Sequence, residues 1–146
     1  MSAMQFRPVR VEDETSVQCQ FQLESTGQNR FTSVLIARFS GDYKDGAAGH
    51  PDAVYMAGML RMGIEMWGPA AVVLDLTDLR YEWGDEMLWL VRPAFHYRKM
   101  AIVVGRGCAR AIATLMWGVS TNKKATEADF IFDDLEAAWE HVRNRQ

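Results

Sequence analysis

Three sets of residues in this chain have types and spacings that could do chemistry. Gly105-Arg106-Gly107, with Arg110 close behind, stands where an apolar run gives way to helical spacing. Glycines expose backbone N–H groups, a helix start is electropositive and two guanidinium groups add charge, so these four residues form a candidate anion site. It falls short of a nucleotide fingerprint, because Arg110 occupies the third-glycine position and the P-loop lysine is missing. Asp75 and Asp78 could serve a cation or an acid–base step, although acids so placed commonly close a turn with their own carboxylates. His50, His96 and His141 lack ligand spacing, and Cys19 and Cys108 are far apart with no Cys-X-X-Cys pair, which signals neither a zinc site nor a disulfide framework. No nucleophile, base or metal constellation emerges. The expectation is a protein without catalysis, cofactor or metal.

The third set is apolar. Tyr55, Met59, Met62 and Met66 recur at helical spacing, and Trp83 and Trp89 flank the next predicted helix start. Methionine adapts to irregular partners and tryptophan is enriched in the energetic centres of interfaces, so together they predict a partner-binding patch. The competing expectation is that the N-terminal arm and the loop over 40–50 cover the stripe within one chain.

These side chains need elements to hold them. Val17, Cys19, Phe21 and Leu23 alternate with Gln18, Gln20 and Gln22, the period of a half-buried strand. Turn chemistry over Ser25 to Asn29 then leads into a β-rich run from Phe31 to Phe39, which predicts an antiparallel hairpin. After an irregular loop, a helix is expected from Pro51, with Asp52 in its first turn, to Trp67, stopped by Gly68-Pro69. One face of it carries Ala53, Met56, Ala57, Leu60, Ile64 and Trp67, and the methionine stripe lies roughly opposite.

Ala70 to Leu74 is a short apolar run ending in Asp75 and reads as a strand at the centre of the sheet. Asp85 is placed to cap a helix over Glu86 to Val91, which Pro93 shortens. Lys99 to Val104 predicts another buried strand, followed by a helix bearing Cys108, Ile112, Leu115 and Met116. Ala128 to Phe132 is a final strand, and Asp133 with Glu136 reads as the capping box of a last helix carrying Leu135, Ala138, Trp139 and Val142. Residues 1–14, with Pro8, form a poorly defined arm that either supplies an edge strand around Gln5 to Val11 or lies on the surface. The sum is a single α/β domain over 1–146. Its mixed sheet starts with an antiparallel hairpin, continues in parallel strands and is covered by about four helices.

The balance of 16 basic and 19 acidic residues, net charge −3, offers no positive excess for nucleic acid. The N-terminus lacks a signal-peptide core and no apolar run reaches membrane-spanning length, so a cytoplasmic location is expected.

The order of elements, the segment VVLDLTDLRYEWGDEML from Val72 and the closing FDDLEAAWEHV resemble the STAS-domain family of anti-sigma-factor antagonists over most of residues 17–142. That resemblance implies a regulatory protein-binding module. In the antagonists a helix start carries an Asp-Ser-Ser-Gly motif whose second serine is phosphorylated. Laid over this chain, the motif falls on Trp83, Gly84, Asp85 and Glu86, where no serine or threonine stands. Asp85 is then either a fixed, partial mimic of the phosphorylated state or a plain helix cap. The expected function is protein binding, to a regulatory partner or as a homodimer. The alternatives are an immunity or antitoxin-type protein that blocks a toxin enzyme, and a carrier of a small ligand or lipid.

Overall fold

A computed structural model describes residues 3–24, 33–92 and 99–144. Strands β1 (Gln18–Leu23), β2 (Val34–Asp42), β3 (Ala71–Leu76), β4 (Leu79–Arg80), β5 (Met100–Val104) and β6 (Ile131–Phe132) alternate with helices α1 (His50–Trp67), α2 (Leu88–Val91), α3 (Ala109–Trp117) and α4 (Leu135–Asn144). The sheet runs β1-β2-β3-β5-β6, with β4 paired to the end of β2. β1 is antiparallel to β2, Gln18 facing Ser40 and Leu23 facing Leu35, and every other pair is parallel. This is the expected α/β mixed sheet, and β3 is its centre, buried along its whole length.

Period two divides the core between the two faces of the sheet. Val72, Leu74, Leu76, Ile102 and Val104 meet Ala53, Met56 and Leu60 of α1, Met87 and Leu90 around α2, and Ile112 of α3. Ala71, Val73, Ala101 and Val103 meet Ala138 and Val142 of α4 on the opposite face. Small side chains on that face let α4 lie close. Glu24 fastens it from the end of β1, accepting hydrogen bonds from Trp139 Nε1 at 2.6 Å and Arg143 Nη1 at 2.7 Å.

Several expectations are corrected in detail. The arm forms no strand over residues 3–17: Val11–Asp13 is a single 3-10 turn, and residues 3–14 are all exposed. Leu23 is exposed as well, because β1 is an edge strand whose far end is left uncovered. α1 begins at His50, after a 3-10 turn over Gly46–Gly49, and Gly68 ends it in a left-handed conformation with φ 51°. Its buried line is Asp52, Ala53, Met56, Leu60 and Gly63, while Ala57, Ile64 and Trp67 are only partly buried. Gly63 stands where Phe21 crosses; a Cβ there would lie 2.5 Å from the Phe21 ring, which also packs on Trp67 at 5.1 Å. β3 continues through Asp75 to Leu76, and β4 was not foreseen. Asp134 rather than Asp133 caps α4, its Oδ2 accepting from Ala137 N at 3.0 Å. The hairpin turn at Ser25 to Asn29, Pro93 and His96 lie outside the described residues.

Candidate functional site

Two strand-to-helix junctions carry the candidate residues. At the first, β4 hands over to the segment Tyr81-Glu82-Trp83-Gly84 and then to a 3-10 turn over Asp85–Met87 leading into α2. Tyr81 is buried, donates its hydroxyl to Gly84 O at 2.6 Å and meets Tyr43 edge-on at 5.0 Å. Burial raises both phenols, Tyr43 to about 12 with the Glu86 and Asp52 carboxylates adding to the rise, so both are neutral hydroxyls at neutral pH.

This anchored corner holds Trp83 on the outside, 60% exposed. Its ring lies on Gly46, where a Cβ would come within 2.5 Å of it and where φ is +58°, a conformation glycine adopts without steric cost. His50, opening α1, bonds Glu86 Oε1 through Nδ1 at 2.7 Å and meets Trp89 edge-on at 5.8 Å. Trp83, Asp85, Glu86, His50 and the Gly46 turn line a cavity of about 480 Å³. Glu86 Oε2 is closed to solvent and has no hydrogen-bond partner among the described residues.

The predicted patch therefore divides. Trp83, Asp85 and Trp89 come together around His50, but Tyr55 and Met59 are partly buried and packed against the core. Met62 and Met66 are exposed, 47% and 62%. Met62 stands twelve positions beyond His50 on α1, about 18 Å at helical rise, so these two methionines belong to a separate surface. Asp85 is not the cap: Gly84 holds that position, and Asp85 opens the turn with its side chain exposed. The exposure of Met62 and Met66 means that neither the arm nor the loop over 40–50 covers them. His50, Glu86 and Gly46 were missed as site residues. Nothing in the sequence joins positions 36 residues apart, although His50 beside a helix start was visible.

Asp75 proves structural. Its buried carboxylate accepts from Arg38 Nε at 3.1 Å across the β2–β3 register and from the backbone and hydroxyl of Thr77. It closes the turn after β3, with three donors on its two oxygens. Asp78 is exposed.

The second junction follows β5. Its glycines serve backbone packing: a Cβ on Gly105 would lie 2.1 Å from Thr77 O, and one on Gly107 2.8 Å from Leu79 O. Cys108 N and Ala109 N both donate to Gly105 O, at 3.3 and 3.0 Å, so these helix-start amides are already engaged. Gly105, Arg106 and Arg110 line a cavity of about 630 Å³ at the carboxyl ends of β5 and β6, together with Lys123 and Lys124. Gly107 faces a neighbouring cleft instead, shared with Arg80 and Glu82. The lysines were missed because the loop that carries them meets α3 only through the fold. Cys108 sits at the cap of α3, buried, its Sγ 3.4 Å from Leu76 O, and burial pushes its thiol up to about 11.

Among the described residues, no cluster of three His, Cys, Asp or Glu side chains could hold a metal ion, and no helix is long and apolar enough to cross a membrane. No protein-family model matches the chain, and no match was found among curated proteins or solved structures.

Proposed function

We propose that this chain is a non-catalytic, STAS-like binding module that recognises a protein partner at the Trp83 junction, through a cationic side chain the partner inserts beside Asp85 and Glu86. One observation carries the reading. A large aromatic ring is held outside the core by a glycine turn and a hydrogen-bonded tyrosine, and it shares a cavity with the exposed Asp85 carboxylate. An Arg or Lys head group would donate to the Asp85 carboxylate and lie against the indole ring, an arrangement favoured by charge-assisted hydrogen bonding and by the ring quadrupole. Asp85 adds fixed negative charge where the resembling family carries a phosphorylated serine, so recognition here would need no kinase.

The test is capture of partners from the native cell lysate on immobilised protein, compared with Trp83→Ala and with Met62→Glu/Met66→Glu. Loss of every specific band with Trp83→Ala, and retention with the methionine variant, supports the junction as the interface. The opposite pattern moves the interface to the far end of α1 and defeats the proposal. A homodimer is the second reading, favoured by Met4, Phe6, Val9 and Val11, whose apolar side chains stand exposed along the arm. Sedimentation equilibrium of the wild type and of Phe6→Glu/Val9→Glu decides it: a dimer lost in the variant supports arm-mediated association, and a wild-type monomer removes it.

A further inference from the structure

The cavity after β5 is chemically unlike the first junction. Arg106 comes from the turn before α3, Arg110 from its first turn and Lys123 and Lys124 from the loop that returns toward β6, so two separated segments bring four cationic side chains to one opening. Arg106, Arg110 and Lys124 make no ion pair among the described residues, and Lys123 has its ammonium over the Trp117 ring at 5.3 Å. Asp133 is the single carboxylate on the lining. In a chain of net charge −3, four cations against one acid around a cavity is a local reversal of sign. Like charges brought together without counter-charges repel one another, and an anion relieves that repulsion.

The lining also carries an apolar wall, Ala109 with the exposed Val119 over the buried Val104 and Ala113. A volume of about 630 Å³ is the size of sites that enclose a small organic molecule. Inorganic phosphate alone would meet the cations and leave that wall bare. Extended polyanions are disfavoured because a chain of net charge −3 has no overall positive excess with which to hold them. We propose that this cavity binds a small organic diphosphate, its phosphoryl oxygens held by Arg106, Arg110, Lys123 and Lys124 and its organic portion against Ala109 and Val119. The site is independent of the Trp83 junction and stands or falls without it. Arginine pairs suit phosphoryl groups because the planar fork donates two parallel hydrogen bonds.

Isothermal titration with ADP, isopentenyl diphosphate and inorganic pyrophosphate tests this on the full chain, with Arg106→Gln/Arg110→Gln and Lys123→Gln/Lys124→Gln as variants. One organic diphosphate should bind at least about 10-fold tighter than pyrophosphate, the gain reporting the apolar wall. Which of the two it is separates a planar nucleoside from a branched hydrocarbon as the organic part. Either double variant should weaken it by about 10-fold or more, with an unchanged melting temperature because all four side chains are exposed. No heat from any of the three at about 1 mM would overturn the proposal, as would equal affinity for pyrophosphate and both organic diphosphates. Undiminished binding in both variants, or tighter binding of a 20-nucleotide RNA than of every diphosphate, would overturn it too.

Discussion

After β4 the chain lines a cavity with an aromatic ring and carboxylates, whereas after β5 it lines one with cations. Both junctions follow a strand, both use glycines and both lead into a helix. At the first, Gly46 makes room for Trp83 and Gly84 offers its carbonyl to the Tyr81 hydroxyl, so an indole ring and carboxylates share one cavity. At the second, Gly105 and Gly107 make room for the β3–β4 backbone, and the opening is bounded by side chains from elsewhere. The glycines explain how each junction packs. What each junction can bind is decided by the residues around them, acidic and aromatic in one case, basic and aliphatic in the other.

The contrast can be broken most severely at Gly105. Gly105→Ala drives a Cβ onto a carbonyl oxygen that cannot swing away, and should cost about 2–4 kcal/mol in urea unfolding, closing the second junction while leaving the first intact. Next, the acids should separate by role. Asp75→Asn weakens the bond to Arg38 and places an amide where Thr77 donates, for a loss of about 2–3 kcal/mol, whereas Asp85→Ala should stay within about 0.5 kcal/mol. A large loss at Asp85 would instead make it a structural residue. Gly46→Ala meets both a positive φ and the Trp83 ring, and should cost about 1–2 kcal/mol and shift the tryptophan emission.

The smallest effect concerns the thiol under the second junction. Burial raises Cys108 from 9.0 to about 11, so the folded state favours the neutral thiol and the unfolded state ionises first. The stabilisation is complete below pH 9 and is lost as pH rises toward about 11. Cys19 adds to the same window, being raised to about 11. Cys108→Ala should flatten, without abolishing, the fall in melting temperature over that range; an unchanged slope would assign the fall to other groups.

How far the sequence reveals this molecule depends on the distance over which each feature is encoded. The hairpin, the central strand and the closing helix are legible because alternation, an unbroken apolar run and an amphipathic stripe are local. Asp85 misleads because its type and position suit a cap, while the bend needs the φ of 140° at Gly84, which moves the cap one residue back. The methionine stripe misleads for another reason: helical spacing gives the direction of Tyr55 and Met59 but not the neighbours that bury them. The pairing of His50 with Glu86 and the presence of Arg110 and Lys123 on one cavity lining are set by topology. Only the arginines and the tryptophans announce that something is to be bound there.

The central claim is that the two junctions bind different things, and one measurement addresses it directly. A partner captured on the wild-type protein is titrated against Trp83→Ala and against Arg106→Gln/Arg110→Gln. The account predicts that Trp83→Ala weakens partner binding by about 30-fold or more, the scale of an interface hot spot, while the arginine variant stays within about twofold. Equal losses in both variants, or a loss confined to the arginines, would contradict it.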